Sequence, residues 1–223
     1  MVYASSDLVF NPGDHEAVAG WADAIFVGTV EKHLSTLGRD PNTPETQFRV
    51  SVVNQLKGKL PAEVVVNQYG GITSNGDTVI YNRMPLLNAG KTYLFIARFY
   101  AEKKWLTIAN GVGALELAGR DADAAKLRNL DAEPESVKRM RESIAHQKSF
   151  ADEATRPKLP DPASLPSEVT GIATPPETPR STPTPKPSGG VTPTPTTSRQ
   201  PATTTPGSRS LCHCDGSSYR CHP

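Results

Sequence analysis

The stretch that decides the fold is ADAIFVGTVEKH, residues 22–33. Ile25 and Val27 fall on one face of an extended chain, because successive side chains of a strand point to opposite sides. Phe26 and Val30 fall on the other face. Since both faces are apolar, the pattern predicts a strand that is buried on both sides, inside a barrel or a sandwich.

Other stretches have the same short, β-prone character and end at turn residues. They are TQFRVSVVNQLKG (46–58), AEVVVNQYGG (62–71), ITSNGDTVIYNRMP (72–85), AGKTYLFIARFY (89–100), KKWLTIAN (103–110) and GVGALEL (111–117). Asn75-Gly76 is a hairpin turn signal, and the last stretch could close the sheet. With only a short N-terminal helix before them, these strands predict an all-β barrel or sandwich over residues 1–118.

Alternation also assigns individual side chains to faces. Phe48 and Val50 are predicted to point inward and Gln47 outward, as in a half-buried strand. Tyr93 and Phe95 share one face, which favours core packing over a surface platform that stacks bases or sugars.

After residue 118 the apolar period changes to that of a helix. Val137, Met140 and Ile144 form one stripe behind Pro134, a residue type suited to a first helical turn. Residues 119–155 are therefore predicted to be a C-terminal helical extension that packs on the barrel.

A long Pro/Thr-rich segment follows. Fourteen of the 21 prolines lie between Pro157 and Pro206, and twelve threonines lie between Thr170 and Thr205. Such a composition cannot bury enough apolar surface to offset the entropy of ordering. Residues 156–210 are predicted to be a disordered linker, with threonines suited to O-glycosylation if the protein is exported.

Composition argues against several functional classes. The net charge of +1 is evenly spread, so no basic stripe for nucleic acid is expected. The basic pair Lys103-Lys104 is interpreted as a solvated turn beside a core Trp105. No apolar run reaches the roughly 18 residues of a membrane span. No nucleophile, zincin or phosphate-loop motif is present, and we expect no enzyme activity.

The order of these motifs resembles secreted bacterial proteins with a TIMP-like (netrin-like) OB-fold domain. The resemblance covers residues 13–118 and rests on ADAIFVGTV (22–30), VNQLKG (53–58), VVVNQYGG (64–71) and LLNAGKTYLFI (86–96). It implies a closed five-stranded OB-like Greek-key barrel and a binding role outside the cell or in its envelope. Animal members inhibit metalloproteases through an N-terminal cysteine. Residues 1–118 contain no cysteine, so that mechanism is not carried over.

Localisation depends on two opposing features. The first residues, MVYASSDLVFNPGDHEAV (1–18), lack the charged and apolar regions of a signal peptide. A Thr/Pro stalk is nevertheless typical of exported proteins. We expect an extracellular or envelope-exposed protein whose leader is removed or encoded upstream.

The tail LCHCDGSSYRCHP (211–223) carries all three cysteines. Its candidate ligands for zinc (Zn) or copper (Cu) are Cys212, His213, Cys214, Cys221 and His222. The C-x-C spacing is tighter than that of structural zinc sites and suits Cu(I) better. Outside the cell, a disulfide that leaves one spare cysteine is favoured over a metal site, and a tail without a role is the third alternative.

Two functions follow from the sequence. The first is a non-enzymatic exported module that contacts a protein or cell-envelope partner, without nucleic acid or a resident cofactor. The alternative is metal handling by the tail, with the barrel as its anchor. The odd cysteine could also link two chains as a disulfide-bonded dimer.

Overall fold

The computed structural model describes residues 1–5, 8–38, 43–73, 75–129 and 133–169, without the side chains of residues 120, 121, 124 and 125. The strands are β1 (Val2–Ala4), β2 (Ala24–Thr36), β3 (Glu45–Lys57), β4 (Glu63–Ile72), β5 (Thr78–Tyr81), β6 (Thr92–Tyr100), β7 (Trp105–Ile108) and β8 (Ala114–Leu117). The helices are α1 (His15–Trp21), α2 (Ala124–Leu127) and α3 (Glu135–Ala145), with 3₁₀ turns at Gly119–Ala122 and Pro162–Ser164.

Five strands close into a barrel, which confirms the all-β, OB-like fold class. Strands β2, β3 and β4 follow one another as antiparallel neighbours, and β6 pairs antiparallel with both β2 and β7. A parallel pairing of β4 with β7, in which Val66 faces Leu106 and Asn67 faces Thr107, closes the ring. Strand β8 does not close the sheet, because it pairs with β6 outside this ring. The barrel therefore has the five-stranded Greek-key order of an OB-fold.

The interior of the barrel is aromatic and β-branched. Phe26 and Phe95 stack at its centre with their ring centroids 5.1 Å apart. Phe48 and Val50 also point inward, as alternation predicts, and both belong to this buried cluster. Gly28 is required here, since a Cβ atom at this position would lie 2.5 Å from a methyl carbon of Val50.

A second apolar cluster lies outside the barrel wall. Ile25 and Val27 of β2 are fully buried there, against Val18 of α1 and Val137 of α3. The sequence prediction that β2 is buried on both faces is therefore confirmed. The helix predicted after Pro134 is present, and its apolar stripe covers the barrel wall.

Residues 156–169, which the sequence analysis placed in the linker, contact the barrel. Leu165 is only 9% exposed and packs with the interior cluster, and Leu159 packs against the same cluster. The Arg49 guanidinium donates a 3.2 Å hydrogen bond to the Ser167 carbonyl and also pairs with Glu168. Two leucines thus anchor a segment that its prolines alone would assign to a linker. Residues 170–210 of the predicted linker lie outside the described residues.

Within the described residues, no helix is both long and apolar enough to span a membrane.

Candidate binding cleft

A cleft of about 530 Å³ lies beside the parallel junction of β4 and β7. Thirteen residues from strands, α1 and connecting segments line it: Leu8, Val9, Phe10, Trp21, Thr43, Tyr69, Tyr81, Arg98, Phe99, Tyr100, Thr107, Ile108 and Asn110. The volume falls within the roughly 300–1,000 Å³ of small-ligand sites. The size and the largely apolar lining make it a candidate binding site.

Aromatic pairs form two of its walls. Phe10 and Trp21 meet with ring centroids 5.2 Å apart. Tyr69 and Tyr81 meet at 5.9 Å, and both are half-buried. Rings that are partly exposed in a cleft offer flat apolar surface to a ligand while their packing restrains them.

Arg98 brings a positive charge to the cleft, and neighbouring groups bind it. Its guanidinium lies 4.7 Å from the centroid of the Trp21 ring and donates hydrogen bonds of 2.7 Å and 3.2 Å to the Asp152 carboxylate. The hydrogen bonds from Arg98 hold the pKa of Asp152 below its usual value. Because this cation is already paired, it adds little net charge to the cleft.

A row of polar side chains crosses the outer face of all five barrel strands. Ser35 is paired with Gln47, Gln47 with Asn67, Asn67 with Thr107, and Thr107 with Arg98. These five residues, which we term the polar row, end at the cleft, since Thr107 and Arg98 both line it. The row therefore supplies polar groups among aromatic walls.

Hydrogen bonds connect the row from Ser35 to Thr107. The Ser35 hydroxyl donates to Gln47 Oε1 at 2.6 Å, and Gln47 Nε2 donates to Asn67 Oδ1 at 2.7 Å. Asn67 Nδ2 donates to Thr107 Oγ1 at 3.3 Å and to Glu45 Oε2 at 2.9 Å. Glu45, Gln47 and Asn67 are fully buried, so these bonds offset the cost of removing polar groups from water.

Gln47 differs from the sequence prediction in its environment. It lies on the outer face, as alternation predicts, yet it is fully buried. Its amide bonds the Leu37 backbone as well as Ser35 and Asn67, and these bonds offset the cost of burying it. Residue type and alternation identify which side chains lie on the outer face of a strand. They do not show whether another segment of the chain buries that face.

A second cavity of about 320 Å³ adjoins the turn that carries the basic pair. Lys103 and Lys104 are exposed, while Trp105 is only 3% exposed. The structure thus agrees with a solvated turn beside a core tryptophan. This cavity is also lined by Glu102 and Glu168, so its charges are mixed.

The predicted ligands in the tail, Cys212, His213, Cys214, Cys221 and His222, lie outside the described residues. Within the part of the chain that the structure describes, no three His, Cys, Asp or Glu side chains are grouped to hold a metal ion. The choice among a disulfide, a metal site and a tail without a role stays a prediction.

Sequence reasoning missed most of the cleft. No motif marks Tyr69, Phe99, Thr107 or Asn67, although all four lie in stretches that the sequence predicts as strands. The sequence feature that could have indicated the cleft is the presence of polar residues at outward-facing positions of predicted strands. Any strand with one face in water has the same feature, so it does not distinguish a binding site.

Comparison with known proteins found no family model and no curated protein that matches this chain. Membership of the TIMP-like family therefore stays a prediction.

Proposed function

We propose that this chain is a binding module whose cleft takes up an uncharged, extended segment of a partner protein. The observation that carries the proposal is that Thr107, a member of the polar row, lines the same cleft as the rings of Tyr69, Tyr81 and Trp21. Ligand sites of this type combine a mostly apolar lining with a few fixed polar groups. An extended peptide has the matching chemistry, with apolar side chains and backbone polar groups.

The charge of the cleft favours such a partner over a nucleic acid. Nucleic-acid binding draws its affinity from cations that contact phosphates. Here Arg98 is bound to Asp152, and the other lining residues are uncharged. A phosphate would have to displace the Asp152 carboxylate, whereas an uncharged segment leaves this pair intact.

The proposal extends to the setting of the module. We place it outside the cell or in the envelope, because the Thr/Pro-rich composition of residues 170–206 is typical of exported stalks. The role is recognition rather than catalysis. The TIMP-like resemblance supports both this role and a location outside the cell or in the envelope.

Selection from a random peptide library on the full chain tests this function. Selected peptides are titrated against the wild type, the cleft variant Tyr81→Ala and the matched control Tyr3→Ala. Tyr3 is 65% exposed and lies outside the cleft lining. We expect Tyr81→Ala to weaken binding at least about tenfold, because it removes half of an aromatic wall, while Tyr3→Ala stays within about twofold.

Two results would overturn the proposal. One is a library that yields no binding peptide. The other is peptides whose affinity does not change in Tyr81→Ala, since they would bind elsewhere. Thermal unfolding of each variant separates a lost site from a lost fold.

A further inference from the structure

The hydrogen bonds of the polar row have a fixed direction. A carboxylate oxygen accepts hydrogen bonds, so the Asn67 atom that faces Glu45 Oε2 is the amide nitrogen. The Asn67 oxygen then faces Gln47 Nε2, and the Gln47 oxygen accepts from Ser35 and from the Leu37 amide. Gln47 Nε2 also donates to the backbone carbonyls of Leu37 and Glu45, so the backbone orients the Gln47 amide. Gln47 and the Glu45 carboxylate together orient Asn67.

This direction decides what Thr107 can offer to a ligand. Asn67 Nδ2 is a donor, so Thr107 Oγ1 is the acceptor in the 3.3 Å bond between them. The Thr107 hydroxyl hydrogen takes no part in this bond, and it is bound to no acceptor among the residues that the structure describes. A threonine hydroxyl whose oxygen already accepts a hydrogen bond is a polarised donor. The cleft thus holds a donor that suits a ligand carbonyl.

Proline suits a cleft with one hydroxyl donor and aromatic walls, because it has a carbonyl acceptor and an apolar ring. A prolyl residue has a carbonyl acceptor but no backbone N–H, so it brings no donor that needs a partner in an apolar cleft. Its compact apolar ring packs on aromatic side chains, and Pro-rich segments are already extended before binding. Aromatic-lined grooves bind such segments in other folds.

We propose that the cleft recognises a proline-rich segment, with the Thr107 hydroxyl donating a hydrogen bond to one of its backbone carbonyls and prolyl rings lying against Tyr69 and Tyr81. This inference rests on the proposed function and names its partner class. Glu45 and Asn67 act as positioning residues, because they hold Thr107 in the donor state without contacting the ligand.

Calorimetric titration of the full chain with capped octaproline tests the inference. A Gly-Ser octapeptide is the peptide control, and cellohexaose tests for a carbohydrate ligand. We expect octaproline to bind and the other two not to bind. Thr107→Val removes the hydroxyl at nearly constant volume and should weaken binding about tenfold. Thr107→Ser restores the hydroxyl and should stay within about twofold of the wild type.

Thr107→Cys is a second variant that tests the hydroxyl if Thr107→Val does not fold. Its weak S–H donor should give an intermediate affinity. Equal affinities for wild type, Thr107→Val and Thr107→Cys would overturn the role of the hydroxyl. Equal binding of the Gly-Ser peptide, or binding of cellohexaose alone, would overturn the proline specificity.

Failure of this inference is distinguishable from failure of the proposed function. Library peptides without proline that bind in a Tyr81-dependent manner would leave the function standing and remove the proline preference. If neither library peptides nor octaproline bind, both proposals are wrong.

Discussion

Asn67 and Thr107 face each other across the parallel junction that closes the barrel, and the Asn67 amide donates a 3.3 Å hydrogen bond to the Thr107 hydroxyl. Thr107 also lines the aromatic cleft. The junction between β4 and β7 therefore serves two purposes. It completes the sheet, and it brings a buried polar network to the surface where a ligand could meet it.

Asn67→Leu should destabilise the fold by about 3 kcal/mol. The change removes the hydrogen bonds to Gln47, Glu45 and Thr107, and it leaves their buried polar atoms without that partner. Urea unfolding measures the loss. The matched control is Asn88→Leu at an exposed position, which should change the free energy of unfolding by less than about 0.5 kcal/mol. Equal effects of the two substitutions would contradict the structural role of the row.

The sequence predicted the strands of the barrel better than their arrangement. Two-sided apolar alternation in β2 and the turn at Gly58 after β3 identify strands, because period and turn chemistry are local properties. Gly70 and Gly71 do not end a strand as expected, since both lie inside β4 and pair with β5. The closure of β4 on β7 is not local, and no residue type marks it. For that reason the sequence left open that GVGALEL (111–117) could close the sheet, whereas it pairs with β6 outside the ring.

The cleft was harder to predict for the same reason. Phe10, Tyr69, Tyr81 and Thr107 come from four separate segments, and no spacing relates them. The packing of residues 156–169 was missed because two leucines decide it against a background of prolines. Composition averages over a segment, whereas anchoring depends on single side chains.

Gly20→Ala should loosen the segment that follows α3. A Cβ atom at Gly20 would lie 1.7 Å from the Lys148 carbonyl oxygen, which is backbone and cannot rotate away. We expect a loss of about 1–3 kcal/mol and faster hydrogen exchange of the Lys148 amide, which bonds the Glu16 carbonyl. Gly13→Ala, whose nearest contact would be 3.4 Å, is the control. Unchanged exchange in Gly20→Ala would mean that this segment does not dock on α1.

Leu165→Ala tests whether residues 156–169 belong to the folded unit. Leu165 is 9% exposed and packs with the interior cluster, so truncation should cost about 2 kcal/mol. Leu115→Ala, at a side chain that is 50% exposed, should cost less than about 0.5 kcal/mol. Thermal and urea unfolding compare the two. If Leu165→Ala does not change the free energy of unfolding, residues 156–169 are linker and not part of the folded unit.

The Arg98–Asp152 pair should make stability depend on pH in the acid range. Arg98 holds the pKa of Asp152 below its usual 3.8. A carboxyl whose pKa is lower in the folded chain contributes stability that is complete above the unfolded pKa and lost as pH falls through the folded one. Because Asp152 is 45% exposed, solvent screening limits this contribution to at most about 1 kcal/mol.

Asp152→Asn should therefore be less stable than the wild type at pH 7, and the difference should vanish at pH values below the folded pKa. Urea unfolding across this pH range measures it. Asp77→Asn, at an exposed position between β4 and β5, is the control and should change the free energy of unfolding at pH 7 by less than about 0.5 kcal/mol. A difference that persists unchanged in acid would show that Asp152 acts through packing rather than through its charge.

We propose that the aromatic cleft is the binding surface of this chain. The most direct measurement is NMR titration of the ¹⁵N-labelled full chain with octaproline. We expect the largest amide shifts at Tyr69, Tyr81 and Thr107. Saturating shifts centred elsewhere, for example on β8, or a spectrum that does not change at all, would contradict this proposal.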